Sequence, residues 1–218
     1  MINFGALGEM LPSILDGFWL TLRLLAYSAV IATVLGTLLA TMRVSPIGVL
    51  RLFGTSYVNI FRNTPLVVLF IIIVTGGPQI VGRTEFTTLA TAALSLYTAA
   101  FICEGFRSGV NTVPTGQAEA ARSIGMGFTQ TLTIVVLPQA FRAVIPPLAS
   151  VYIALAKNTS VAAAFGVAEL TYRMRSLNEQ FPQETVTRFA GIVIFYAVIV
   201  GVIAGIAQIL ERRLAVAR

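Results

Sequence analysis

The chain has 218 residues, of which 56% are hydrophobic and only 11% are charged, and this composition excludes a water-soluble domain, whose surface needs more charge. Its net charge of +6 comes from arginines scattered singly between apolar runs, which argues against nucleic acid as a partner and favours orientation in a bilayer. Histidine is absent and Cys103 is the only cysteine, so imidazole-based metal sites, Ser-His-Asp catalysis and disulfides within the chain are excluded.

Long uncharged runs predict about five membrane-spanning helices in a single transmembrane domain, residues 1–218. A helix needs roughly 20 apolar residues to cross the hydrocarbon core. Such runs give these expected spans, the fourth broken at 157–160: 18–42, 64–82, 86–104, 143–168 and 189–210. Thr64 and Pro65 are typical of a helix cap followed by proline at the first helical position, which starts the second span. Gly201 and Gly205 in the last span form a GxxxG pair, which favours internal packing over a contact with another subunit.

The arginines of the loops predict the orientation of the chain, because basic residues concentrate on the cytoplasmic side. The side that holds the N-terminus has four of them: Arg83, Arg173, Arg175 and Arg188. The opposite side has nine: Arg43, Arg51, Arg62, Arg107, Arg122, Arg142, Arg212, Arg213 and Arg218. We therefore expect the N-terminus outside, the C-terminus in the cytoplasm, and the long third loop, residues 106–142, in the cytoplasm.

A short helix is expected inside this third loop. Thr115 is suited to cap it, it runs to about Ile124, and Gly125 ends it in a left-handed conformation. Three alanines leave one helix face with little side-chain bulk, which suits a groove in a partner protein. Glu119 and Arg122 are three residues apart, so they are placed to pair with each other or with that partner.

The same loop resembles the EAA loop of permeases in bacterial ATP-binding-cassette (ABC) importers. The residues that carry the resemblance are Glu119, Ala120, Ala121, Gly125, Leu137 and Pro138. One position departs, since Val135 stands where isoleucine is usual. The resemblance implies the all-α fold of a type I importer permease, in which this helix, with Arg122, is a coupling helix that docks on an ATPase subunit and transmits its closure to the membrane helices.

The resemblance extends to the branch of these permeases that imports polar amino acids, which have five helices and an external N-terminus. It is carried by residues 61–66, 104–109, 138–142 and 157–160, with Asn63 where glycine is common. Ser150-Val151 departs from the branch, which often has Asn-Glu there. The resemblance implies a multi-pass protein of a bacterial plasma (inner) membrane, working with a second permease subunit, two ATPase subunits and an extracellular or periplasmic substrate-binding protein.

A substrate site is predicted where the only lysine, Lys157, interrupts the fourth span and is followed by Asn158, Thr159 and Ser160. Thr159 or Ser160 is expected to cap a second half-helix that begins at Val161. The backbone amides of that half-helix, beside the Lys157 ammonium, would suit a substrate carboxylate. The alternative is that Lys157 extends to the outer membrane interface.

Other polar residues near the spans have weaker claims to the substrate. Glu104 is able to balance a substrate ammonium, but an ion pair with Arg107 is favoured. Arg62, Asn63 and Thr64 lie at the cytoplasmic mouth, where a cap-and-turn role is the default and a gate role follows from the resemblance alone. Arg23 is interpreted as a residue that reaches the interface or pairs helices.

The chain lacks a phosphate-binding loop, because its single lysine follows Ala156 and not a glycine-rich turn. We therefore expect no enzyme activity and no cofactor in this chain, with ATP and Mg²⁺ bound by a partner ATPase. The predicted function is the permease of an ATP-driven importer for polar amino acids, with glutamate, glutamine or aspartate as substrate. The alternative is a secondary carrier or channel subunit that works without ATP.

Overall fold

The computed structural model describes residues 2–214, and within that range all regular secondary structure is helical. Eight helices follow in chain order: α1 (Phe4–Val44), α2 (Gly48–Asn63), α3 (Leu66–Val81), α4 (Phe86–Asn111), α5 (Thr115–Ser123), α6 (Phe128–Phe165), α7 (Leu170–Gln180) and α8 (Thr185–Leu214). The helices α1, α4, α6 and α8 are long and apolar enough to cross a membrane, and α2 with α3 forms one further candidate crossing, bent by 107°. The expected all-α membrane fold is confirmed.

The three helices α1, α4 and α8 run in the same direction. Gly36 of α1 meets Ile102 of α4, and seven residues later Arg43 meets Glu104. Along α8, Gly191 lies against Ile14 of α1, and the order of contacts again follows α1. The helix α6 runs the opposite way to α4, since Gly105 meets Leu148 and Gly109 meets Val144, so successive crossings such as α4 and α6 are antiparallel, as in a chain that passes back and forth through a bilayer.

Glycines fix the closest helix contacts. A Cβ atom on Gly109 of α4 would lie 2.3 Å from Val144 Cγ2 and 2.7 Å from its Cα, in α6. Gly36 similarly leaves no space for a Cβ beside Ile102. Only glycine lets these backbones approach so closely, and dense helix packing of this kind is typical of membrane proteins.

The core consists of three buried apolar clusters between the long helices, centred on Phe70, Ile14 and Ile102. The outer faces are also apolar, with side chains such as Val30 and Val198 exposed. A surface of this kind is incompatible with water and matches lipid.

Two of the crossings contain a π-helical turn, and each turn is followed by one residue and then a proline. Residues Ile71–Gly76 come before Gly77-Pro78 in α3, and Thr131–Val136 come before Leu137-Pro138 in α6. Proline has no N–H and its ring clashes with the carbonyl four residues earlier. The wider turn accommodates the proline without ending the helix.

Two local expectations for the helix ends are wrong. The Thr64 hydroxyl donates back to the Ile60 carbonyl, so it closes α2, and Pro65 occupies the N-cap position of α3. Thr115 is the first residue of α5 and Pro114 its N-cap. Within the third loop, residues 106–142, the helices α4 and α6 continue beyond the spans expected from hydropathy, to Asn111 and from Phe128.

The predicted second half-helix at Val161 is also wrong. The hydroxyls of Thr159 and Ser160 donate to the carbonyls of Ala156 and Lys157, one turn back. The helix therefore continues, tightening to a 3-10 helix over Thr159–Phe165. It ends at Gly166, whose φ of +82° is left-handed.

The helices α2 and α7 lie in segments that were expected to be loops. The α7 helix begins after Glu169, whose carboxylate accepts from the Tyr172 N–H, and Leu170 packs where Gly17 of α1 has no side chain. Arg218, which entered the orientation count, lies outside the described residues.

Candidate functional site

The α5 helix projects between the end of α4 and the start of α6, held by short connections. Gly125 has a φ of +88°, the left-handed conformation expected at the end of this helix. Its N–H donates to the Arg122 carbonyl, and the Met126 N–H donates to the Ala121 carbonyl. These two bonds satisfy carbonyls that the last turn would otherwise leave free.

One face of α5 is buried against α6 and the other is free. Ala121 is 5% exposed and faces the chain, whereas Glu119 and Ala120 are exposed. Glu119 and Arg122 do not form an ion pair with each other or with any other residue in the range 2–214. The Arg122 Nε instead donates to the Ala118 carbonyl, 3.2 Å away. Both charges are therefore available to another molecule.

Two large apolar side chains extend this free face, and the sequence motif did not include them. Ile124 is 80% exposed and Phe128 is 78% exposed, directly after α5. We call Glu119, Ala120, Arg122, Ile124 and Phe128 the coupling surface. Leu137 is also exposed and Pro138 half-buried, about two and a half turns further along α6. Ile124 and Phe128 are large apolar residues in an otherwise polar loop, and this was the signal in the sequence that could have identified them.

Glu104 lies in an ion-pair cluster that joins three helices. Its carboxylate contacts Arg43 of α1, Arg62 of α2 at 3.6 Å and Arg107 of α4 at 2.9 Å. The Arg62 guanidinium also lies 5.7 Å from the centre of the Phe101 ring. Three cations occupy the acceptor positions of one carboxylate, so the structure favours a structural tie over a site for a substrate ammonium.

The corner between α2 and α3 follows this cluster. The Asn63 side chain donates to the Asn59 carbonyl at 2.7 Å, and Thr64 bonds to Ile60. Both side chains are thus engaged with the last turn of α2, and neither caps the start of α3.

Lys157 and Asn158 lie in two different grooves, because neighbouring residues of a helix point in directions about 100° apart. Lys157 and Ser160 line a groove of about 540 Å³ with Thr171 of α7 and Tyr196 of α8. Asn158 lines a second groove of about 390 Å³ between α4 and α6. Thr159 is fully buried. The four residues predicted as one site are therefore not brought together.

A buried acid lies behind the Lys157 groove, and no pattern in the sequence indicated it. Glu169 is 0% exposed, and the Tyr196 hydroxyl donates to its carboxylate at 2.7 Å. Burial raises the pKa of Glu169, while bonds from Tyr196 and from the α7 backbone oppose that rise. Thr171 lies 3.2 Å from the same tyrosine hydroxyl. The groove thus offers an ammonium on one wall and oriented hydroxyls on the other.

The family described as binding-protein-dependent transport system inner membrane component matches residues 5–216. The chain belongs to this family. As a member, it is a multi-pass membrane component of a transport system, and the resemblance drawn from the EAA-like loop is confirmed at the level of the family.

Several known proteins are similar to this chain along most of their length. The glutamate transport system permease protein GluC of Corynebacterium glutamicum is 44% identical over 180 residues, 77% of this chain and 79% of that protein. The glutamate/aspartate import permease protein GltK of Escherichia coli is 34% identical over 202 residues, 88% of this chain and 90% of that protein. A crystal structure of an amino acid ABC transporter with histidines superposes with a TM-score of 0.88 at 27% identity, covering 98% of this chain and 99% of that one.

Proposed function

We propose that this chain is the permease subunit of an ATP-driven importer for polar amino acids, with glutamate or a close relative as substrate. The observation that carries the proposal is the exposed coupling surface at the reversal between α4 and α6, in a member of the transport-component family. The names of the similar permeases, which concern glutamate and aspartate, support the substrate class.

The coupling surface is the proposed docking site for an ATPase subunit, which binds ATP and Mg²⁺ and carries out the hydrolysis. Ala120 and the other small residues let α5 lie deep in a groove, while Ile124 and Phe128 supply apolar anchors beside the charges. The buried Ala121 holds α5 against the start of α6, Gly125 forms the turn between the two helices, and Leu137 and Pro138 are proposed to pass the movement along α6. Because α5 is joined to α4 and α6 by a few residues each, a movement of the ATPase is passed to both crossings.

Substrate binding is proposed for the groove that Lys157 and Ser160 line, with the ammonium of Lys157 facing the substrate carboxylate and Tyr196 bonding the substrate. Asn158 is proposed to contribute to substrate binding from the neighbouring groove between α4 and α6, and the buried Thr159 is proposed to hold the turn that carries Lys157 and Ser160. The Glu104 cluster, with Arg62, Asn63 and Thr64, is proposed to close the cytoplasmic end, where its ion pairs hold α1, α2 and α4 together. An external binding protein delivers the substrate on the side of the N-terminus.

The second permease subunit, identical or paralogous, is proposed to pack on the Gly201 and Gly205 face of α8. A Cβ atom on either glycine would meet nothing within 4 Å in the described part of the chain. The expected internal packing of this pair is therefore wrong. Two such small residues one turn apart permit close approach of another helix.

The test is uptake of labelled amino acids by proteoliposomes that hold this chain, its ATPase and its binding protein, with and without ATP. We expect ATP-dependent uptake of glutamate or a close relative, abolished by Glu119→Arg and by Gly125→Val. Gln117→Ala is the matched control, because Gln117 is exposed on the same helix but points about 200° away from Glu119. Uptake that persists without ATP, or that ignores the two variants, would replace the importer by a secondary carrier.

A further inference from the structure

A long open groove lies between α1 and the first half of α4, apart from the residues assigned above. Its volume is about 830 Å³, and its walls include Arg23, Tyr27 and Leu35 of α1 and Thr88 and Leu96 of α4. Glu85, the residue before α4, stands at its mouth. Tyr27 and Ile31 on its walls are exposed, so the groove opens on the outer surface of the bundle.

The charged residues of the groove are confined to one end. Arg23 and Glu85 are at that end with Thr88, and Ile31 and Leu35 are at the other, where Ser95 is the polar neighbour. Since α1 and α4 are parallel, the polar ends of both walls coincide. From Arg23 to Leu35 the helix rises about 18 Å, close to the depth of one leaflet, about 15 Å or half of the hydrocarbon core.

The two charges at the mouth are without partners in the chain. Arg23 and Glu85 are both exposed, and neither forms an ion pair with another residue in the range 2–214. An arginine one turn inside a span is costly unless an anion or water meets it. A phosphate would neutralise Arg23, and a primary amine close to that phosphate would neutralise Glu85.

We propose that this groove binds one phospholipid whose headgroup carries both a phosphate and a primary amine. The phosphate contacts Arg23 and the Thr88 hydroxyl, the amine contacts Glu85, and one acyl chain lies along Ile31 and Leu35. A free amino acid offers the two charges but nothing for the apolar part of the groove. A second copy of this chain would have to bury both exposed charges in a protein interface.

The chain contains a built-in reporter for this site. Trp19 is the only tryptophan, it is 59% exposed, and it lies one turn from Arg23 on α1. The full chain is placed in phosphatidylcholine nanodiscs with a small fraction of lipid that carries a fluorescence quencher on its acyl chain. We expect quencher-labelled phosphatidylethanolamine to be enriched about fivefold at Trp19 over labelled phosphatidylcholine, as one favourable charge contact at a membrane surface gives.

Variants of the two charges decide between this lipid and other ligands. We expect Arg23→Gln and Glu85→Gln each to remove the enrichment, while Arg23→Lys and the control Arg83→Gln retain it. Arg83 is exposed near the same mouth but does not line the groove. Circular dichroism establishes that each variant keeps its helices, and the two variants test the site independently.

Three results would overturn the proposal. Equal quenching by both headgroups in the unchanged chain would remove headgroup selection. The amine contact with Glu85 would be refuted if phosphatidylglycerol were enriched as strongly as phosphatidylethanolamine. It would also be refuted if the enrichment survived Glu85→Gln. Loss of the enrichment on adding free glutamate would assign the groove to the transported substrate.

Discussion

The contact between Gly109 and Val144 predicts that Gly109→Ala destabilises the chain strongly. The added methyl would meet Val144 Cγ2 at 2.3 Å, its Cα at 2.7 Å and its N at 2.8 Å. Two of these three atoms are backbone, so a rotamer change of Val144 cannot make room, and α4 must move away from α6. Overpacking of this kind costs about 1–3 kcal/mol, and we expect the upper end because backbone must shift.

For a chain of this length, a loss of about 3 kcal/mol corresponds to a fall in Tm of roughly 6–12 °C. Thermal unfolding in detergent, followed by the loss of the monodisperse chromatographic peak, measures it. Gly201→Ala is the matched control, because it adds the same methyl to a helix where nothing lies within 4 Å. Val144→Ala removes only the Cγ2 contact, so the double variant should recover part of the loss. A Gly109→Ala chain as stable as the control would refute the close approach of α4 and α6.

Three further predictions concern charges and the free glycine face. Glu104→Gln leaves three arginines facing one another, so we expect a loss of about 2–3 kcal/mol in unfolding free energy. The exposed Arg107→Gln should lose only about 0.5 kcal/mol. Equal losses for the two variants in denaturant titrations would contradict the shared cluster. Because the folded-state pKa of Glu169 is raised, the stability that its protonation contributes is fully present below the unfolded pKa and is lost as pH rises through the folded pKa. The Tm of the unchanged chain should therefore rise, relative to that of Glu169→Gln, as the pH is lowered toward the unfolded pKa of a glutamate, about 4.3. Parallel curves of Tm against pH would contradict the raised pKa. Gly201→Leu should abolish disulfide trapping between two permease subunits carrying cysteines on α8 and leave the Tm nearly unchanged; undiminished trapping would place the interface elsewhere.

The number of crossings was predictable because charge is confined to the ends of the apolar runs. The helices α2 and α7 were missed for the same reason: Arg51 and Arg173 mark them as polar, and hydropathy does not distinguish a short amphipathic helix from a loop. The helix α2 gains its stability from packing on α1 and α4, and α7 from packing on α1 and α8, and the sequence displays neither set of contacts.

Hydroxyl side chains misled the prediction at helix ends. Thr64, Thr159 and Ser160 were expected to accept bonds from following N–H groups, but each donates to a carbonyl three or four residues back. Both uses are favourable for Ser and Thr, and the choice depends on the surrounding fold.

Polar contacts between residues far apart in the sequence were also not predictable. The pair of Glu104 with Arg107 follows from a spacing of three residues and is confirmed. Arg43 and Arg62 join it only because α1 and α2 pack on α4, and Glu169 meets Tyr196 from 27 positions away. No local pattern connects such residues.

The π-turn before Pro138 has a consequence for how changes in chain length would act. A π-turn contains one residue more than an α-turn in the same helix. Deleting a single residue between 131 and 136 would therefore restore regular geometry and leave Val144 and Lys157 facing the same neighbours. The same deletion in the regular part of α6, after Pro147, would rotate every later residue by about 100°, and Lys157 would leave its groove. The π-turn thus marks a segment of α6 in which the loss of one residue disturbs the lining of the bundle less than it would elsewhere in the helix.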